Sequence, residues 1–218
     1  MLDKFAIFIL THNRPDNVIT YNTLKVSGFT GDIYIVIDNE DKSSEKYYNN
    51  FGDKVIMFDK KAIAKTFDEA DNFEDRRAIV YARNACFNIA KDLGIKYFMQ
   101  LDDDYTAFDY RMDGNYKYGI SPIISFNKTI EILLTYYKSI NVKSIAIAQG
   151  GDFIGGGKSL SNTNVVKRHP TRKCMNSFLC STDRPFKFLG RINEDVNTYT
   201  RKGSIGNIFL SIPLLSLT

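Results

Sequence analysis

The run YFMQLDDDY, Tyr97 to Tyr105, limits what this chain can fold into more than any other stretch. Its apolar half reads as a buried strand, and it stops abruptly at Asp102, Asp103 and Asp104. Three adjacent like charges cannot continue into a core, because each uncompensated buried charge costs on the order of several kcal/mol. They belong at the strand's exit, facing water or a cation. In an open α/β sheet, the carboxyl end of such a strand opens on the crevice where ligands bind. Alternate carboxylates, Asp102 and Asp104, can then point to one side and share Mg²⁺ or Mn²⁺, with water and substrate phosphates filling the other positions. An isolated DDD is also at home in a solvated acidic turn, so the rest of the chain has to decide between the two.

The elements ahead of it favour the crevice. Phe5 to Leu10 is a continuous apolar run, the pattern of a strand covered on both sheet faces. THNRP breaks it, with Pro15 preset for the first turn of a helix capped by Thr11 or Asn13 and stopped near Gly28. A second strand, Ile33 to Ile37, ends at Asp38. Strand, helix and strand at this spacing imply parallel pairing with a right-handed crossover. Ser43 to Asn50 reads as a short helix and Val55 to Phe58 as a third strand, whereas residues 59–75 are polar and unpatterned, either a lid over the crevice or a surface excursion. A strong helix is expected from about Arg76 to Leu93, closed by Gly94, with Arg83 inside its apolar stripe. A guanidinium on that stripe must find an anion or reach the surface, and Arg83 and Asn84 both sit on the helix that feeds the aspartate strand.

At 218 residues, 44% apolar and 25% charged, the chain is expected to form one domain, 1–218, with a sizeable core. No apolar run approaches a membrane span, and Phe5 to Leu10 is too short for a signal peptide or an anchor, so the expected location is cytoplasmic with no membrane partner. Cys86, Cys174 and Cys180 form neither a disulfide framework nor a zinc pattern and read as free thiols. The net charge of +4 is compatible with a polyanionic partner without requiring one. Acidic residues crowd 38–75, while Lys and Arg dominate from Lys158 to Lys202.

Beyond Tyr105, FDYRMDGNYKYG reads as a loop or hairpin, Phe126 to Ser139 as a helix capped by Ser125, and Ile145 to Ala148 as another strand. GGDFIGGGKS fails as a phosphate loop, because Asp152 stands where the first glycine should be and SLSNTN is no helix. Lys167 to Lys173 is a dense basic segment, either a solvated turn or a polyanion contact. In FLGRINEDVNTYT, Glu194 and Asp195 stand where a helix begins. They are either carboxylates complementing a helix N-terminus or a general base at the crevice rim. The final IFLSIPLLSLT has the pattern of a covered strand.

Together, ARNACFNIAKDLGIKYFMQLDDDY and FLGRINEDVNTYT resemble the TET-associated glycosyltransferases of phages and the related kinetoplastid base-J glucosyltransferase, within the GT-A class. The resemblance runs from about Phe5 to Lys202. It implies a Rossmann-like, mostly parallel α/β sheet with helices on both faces, its C-terminal elements expected to be shortened. It also implies metal-dependent transfer of a sugar from a UDP-sugar, UDP-glucose by analogy, to the hydroxymethyl group of 5-hydroxymethylcytosine or 5-hydroxymethyluracil in DNA. A phage-encoded enzyme of this kind would work in the host cytoplasm.

On that resemblance Thr11 and Asp38 would hold the nucleoside, with Arg14, Arg83 and Asn84 near the phosphates. Asp102 and Asp104 would organise Mn²⁺ or Mg²⁺, and Asp103 would support the sugar hydroxyls. Asp195, with Glu194 next, would deprotonate the acceptor. Arg168, Arg172, Lys173 and Lys187 would contact DNA phosphates. GT-A enzymes commonly supply a C-terminal histidine to the metal, yet no histidine follows His169, which leaves the ion to aspartate and water. Two other readings stay open: a family-2-like transferase with a polysaccharide acceptor, and a non-catalytic DNA-binding remnant.

Overall fold

The computed structural model describes residues 4–70, 78–113, 115, 118–149 and 173–218. Four parallel strands form one half of the sheet: β1 (Phe5–Leu10), β2 (Asp32–Asp38), β3 (Val55–Phe58) and β4 (Tyr97–Asp102). Their spatial order is β3-β2-β1-β4. The chain runs outward from β1 to β2 and β3, then returns to place β4 on the other side of β1. The order therefore reverses beside β1, and a crevice opens there at the carboxyl ends of the strands.

Beyond β4 the sheet is mixed. The remaining strands are β5 (Phe108–Met112), β6 (Tyr118–Pro122), β7 (Ser144–Gln149), β8 (Phe178–Ser181) and β9 (Phe209–Leu217). They continue the nine-stranded order as β8-β7-β9-β5-β6. β8 is antiparallel to both β4 and β7, while β9 runs parallel to β7 and antiparallel to β5. The expected hairpin is β5–β6, and the C-terminal apolar run is β9, inserted between β7 and β5.

Side-chain alternation divides the core between the two faces. Phe5, Ile7, Ile9, Ile33, Ile35 and Met99 pack with α1 (Ile19–Val26), α2 (Ser44–Phe51) and α5 (Phe126–Ser139). Ala6, Phe8, Leu10, Val36 and Phe98 pack with α3 (Lys60–Ala64) and α4 (Val80–Asp92). Every β1 side chain is therefore buried, which accounts for its unbroken apolar run. Each of the five larger ones, all but Ala6, contributes about 1.5–3 kcal/mol of burial. Gly28 ends the first helix where a Cβ would lie 2.6 Å from the Ile124 carbonyl oxygen, and its φ of +79° is one that side-chain-bearing residues resist.

Three expected boundaries shift for physical reasons. α1 begins at Ile19, not next to Pro15, and Val18 rather than Thr11 or Asn13 precedes it. Thr11 spends its hydroxyl on other partners, and Asn13 adopts φ 56°, so neither is free to cap. The stretch taken as an unpatterned loop from 59 contains α3, capped by Asp59 through a 2.9 Å bond from the Ala62 amide. The strong helix starts at Val80, later than Arg76. Ser125 does sit at the start of α5, but without a side-chain capping bond; the Phe126 amide donates to the Ser27 carbonyl instead. Residues 71–77 and the glycine-rich and basic segments within 150–172 lie outside the described residues. No helix among the described residues is long and apolar enough to cross a membrane.

Candidate active site

The tips of β1, β2 and β4 meet around a cleft of about 430 Å³, lined by Thr11, His12, Asn13, Arg14, Asp38, Lys60, Ile79 and all three aspartates, among others. Residues 10 and 102 are register partners across β1 and β4, so the parallel pairing itself brings Thr11 beside the aspartate turn. Thr20, in the first turn of α1, braces that turn. Its hydroxyl donates to the Asp102 carbonyl at 2.7 Å and accepts from the Tyr105 amide at 2.9 Å, and its amide donates to the Asp103 carbonyl at 3.1 Å.

The three carboxylates differ in surroundings. Asp103 is buried: Oδ2 accepts from the Thr11 hydroxyl at 2.6 Å and Oδ1 from Arg14 at 3.1 Å. Since a carboxylate only accepts, Thr11 must give Asp103 its one proton. The 2.8 Å contact between Thr11 and Tyr47 is then donated by the tyrosine, whose oxygen in turn accepts from the Arg14 amide at 2.8 Å. A one-way chain follows, from the Arg14 amide through Tyr47 and Thr11 to Asp103. Asp104 is exposed and lies 3.9 Å from Arg14.

Asp102 is partly buried and reaches inward to Arg83, whose Nη2 donates to its Oδ1 at 3.1 Å. Burial pushes the Asp102 carboxyl up to about 6; Arg83 pulls it down, while Glu194, Asp104 and Asp103 add to the rise. Arg83 itself is 1% exposed, and its Nε donates to Glu194 at 3.0 Å. Burial by itself would lower the Arg83 pKa, but Asp102 and Glu194 outweigh it and hold the guanidinium above its ordinary value.

At the β2 tip, Asp38 is held from two sides. Oδ1 faces Lys60 at 3.2 Å and accepts from the Glu40 amide at 3.0 Å; Oδ2 accepts from His12 Nδ1 at 2.8 Å. His12 thus carries its proton on Nδ1 in this contact.

Set against the expectations, the cleft brings together Thr11, Arg14, Asp38, Asp102, Asp103 and Asp104. It does not include Arg83, Asn84, Glu194 or Asp195 in its lining. The fully buried Asn84 side chain clamps the Phe188 backbone, donating to its carbonyl at 3.0 Å and accepting from its amide at 2.9 Å. Glu194 opens α6 (Glu194–Gly203) and is engaged by Arg83. Asp195 follows it, buried, and accepts from the Val196 amide at 2.7 Å. Lys173 is exposed. Lys187 donates to Thr66 at 3.1 Å, and partial burial, then Lys91, lowers its pKa. Arg168 and Arg172 lie outside the described residues. The three cysteines are buried and free, as expected. Residues 65–70 do not hang loose, because the amides of Gly190 and Arg191 bond to the carbonyls of Asp68 and Glu69.

Sequence reasoning missed His12, Tyr47 and Lys60. Tyr47 bonds a residue 36 positions away, a separation with no local signature. His12, lying within the quoted THNRP motif, was the one a polar strand exit could have suggested.

An acidic cleft at the switch point of a parallel half-sheet, with helices on both faces, is where an open α/β fold binds its ligands. The chain belongs to the TET-associated glycosyltransferases, whose family model matches residues 5–213. No curated protein matches it in sequence. Among solved structures, a cytidylyltransferase from Leptospira borgpetersenii is 13% identical with a TM-score of 0.48, the match covering 96% of this chain and 76% of that one. Glucosyl-3-phosphoglycerate synthase from Mycobacterium tuberculosis, in complex with Mn²⁺, UDP and phosphoglyceric acid, is 9% identical with a TM-score of 0.49, covering 97% and 68%. Likeness at this level says nothing about the ligands of this chain.

Proposed function

We propose that this glycosyltransferase, acting as one domain over 1–218, transfers a sugar from a UDP-sugar to the hydroxymethyl group of 5-hydroxymethylcytosine or 5-hydroxymethyluracil in DNA. UDP-glucose is the first donor to test. The observation that supports a donor site is the convergence of Thr11, Arg14, Asp38 and the three aspartates on one cleft. The DNA acceptor rests on the family.

In this reading Asp38, its carboxylate fixed by His12 and Lys60, accepts from the nucleoside base, and Thr11 lies against it. Arg14 is half exposed and paired only at the cleft rim, so it can exchange its carboxylate contacts for the donor's diphosphate. Asp103, freed from Arg14 and still held by Thr11, then accepts from sugar hydroxyls.

The donor set also fits a hard cation. Asp102 and Asp104 both line the cleft, and one or two carboxylates with water and substrate phosphates are the usual ligands of Mg²⁺. Asp102 and Asp104 would hold Mn²⁺ or Mg²⁺, which supplies positive charge for the departing diphosphate.

Transfer breaks the bond between the anomeric carbon and the phosphate oxygen and joins that carbon to the acceptor oxygen, whose proton passes to a base. Asp195 is the proposed base: its carboxylate is bonded only to a backbone amide among the described residues. Lys173, Lys187, Arg168 and Arg172 are proposed phosphate contacts, so transfer should fall steeply with salt.

The test is nucleoside mass spectrometry of 5-hydroxymethylcytosine and 5-hydroxymethyluracil duplexes after incubation with UDP-sugars and Mn²⁺, beside Asp104→Ala. A sugar mass increment on one base, lost in the variant, is expected. UDP release without a modified base would refute the DNA acceptor, and absence of UDP release would refute the donor reading.

A further inference from the structure

Arg83 bonds Glu194, 111 residues away, and it does so from the inside. Its guanidinium lies 4.9 Å from the Phe178 ring centre and 5.8 Å from that of Phe188, and the Gln100 side chain holds its backbone carbonyl at 3.0 Å. Nη1 is buried and has no hydrogen-bond partner among the described residues. The two carboxylates that Arg83 reaches through Nη2 and Nε are fixed by it and fix it in return.

We infer that Glu194 is a positioning residue: it holds Arg83, and Arg83 holds Asp102 so that one carboxylate oxygen is occupied from behind and the other is presented to the cleft. This inference rests on the donor-site reading and changes the role expected of Glu194, which is not the base. A base must be free to take the acceptor's proton, and Glu194 Oε1 accepts from the buried Arg83 guanidinium at 3.0 Å instead.

The arrangement also leaves a charge excess: among the groups paired through Arg83 and Arg14, the four carboxylates Asp102, Asp103, Asp104 and Glu194 face two guanidiniums, leaving two negative charges uncompensated. That excess matches one divalent cation. Glu194 contributes to it although it lies outside the cleft lining.

Because Glu194 acts through Arg83, its removal should act first on binding. Outer partners of metal-binding carboxylates typically alter metal affinity by about 10–100-fold. The experiment measures Mn²⁺ affinity by electron paramagnetic resonance, with and without UDP, and transfer in parallel, for the full chain and for Glu194→Ala and Glu194→Gln. Glu194→Ala is expected to weaken Mn²⁺ binding by about tenfold or more. Glu194→Gln, whose amide oxygen still accepts from Nε, should bind several-fold more tightly than Ala and keep measurable transfer. Circular dichroism of both variants confirms that the fold is retained.

If both variants lose transfer while binding Mn²⁺ and UDP like the wild type, Glu194 is a base and the inference is overturned. If Ala and Gln behave alike in binding and transfer, the relay through Arg83 is likewise overturned. Wild-type protein that binds neither Mn²⁺ nor UDP would overturn the donor-site reading and this inference with it, an outcome distinguished by the wild-type control alone.

Discussion

Replacing Arg83 by methionine keeps an unbranched but shorter apolar side chain beside Phe178 and Phe188 and removes the charge between Asp102 and Glu194. Two charge-assisted bonds of 3.1 and 3.0 Å are lost, and two carboxylates, with side chains only 22% and 11% exposed, are left facing each other. Breaking a buried pair by deleting one partner costs about 3–5 kcal/mol, chiefly because the remaining charge is uncompensated. For a chain of this size that corresponds to a fall in Tm of roughly 6–20 °C. The decisive comparison is the triple variant Arg83→Met with Asp102→Asn and Glu194→Gln. If the cost lies in uncompensated charge, neutralising both carboxylates should restore about half of the loss, measured by urea unfolding with a common m-value. A single-variant loss below about 1 kcal/mol would place the triad in the class of surface pairs and refute the reasoning. A triple variant no more stable than the single one would show that packing, not charge, carries the cost.

Tyr47→Phe removes the donor to Thr11 and the acceptor of the Arg14 amide in one step; unfolding should register about 1–3 kcal/mol, and the donor KM should rise more than kcat falls. In metal-free protein the folded Asp102 titrates near 6, above an ordinary carboxylate, so the folded state holds this proton more tightly than the unfolded chain. Its contribution to stability is therefore fully present below about pH 4 and lost as pH rises through about 6. Urea midpoints taken across that range should show this decline, and Asp102→Asn should flatten it; parallel curves would count against the shifted carboxyl. Chelation of divalent ions should abolish transfer and Mn²⁺ should restore it, whereas restoration of Asp104→Ala by Mn²⁺ at the wild-type concentration would exclude Asp104 as a ligand.

Much of the framework is legible in order along the chain. The six apolar residues of β1, the apolar run of β2 that stops at Asp38 and the abrupt end of β4 at Asp102 are local patterns set by burial and backbone geometry. Those patterns also place Thr11, Asp38 and the aspartates at strand tips, because parallel strands joined by crossovers must end on the same side of the sheet. Helix starts were less legible where a polar side chain had a distant partner. Thr11 looks like a cap in sequence but bonds Asp103, 92 residues later.

The sequence by itself determined which residues stand at the mouth of the sheet; tertiary structure decided which of them face the cleft and which brace it from behind. Arg83, Asn84 and Glu194 all looked like site residues, being polar groups next to the aspartate strand or at a helix start. Packing turned Asn84 onto the Phe188 backbone and set Arg83 between Asp102 and Glu194. Tyr47 and Lys60, which carry no local mark, were brought to Thr11 and Asp38. The physical reason is common to all of them: a buried polar group must find a partner wherever the fold supplies one, and separation along the chain has no bearing on which partner that is.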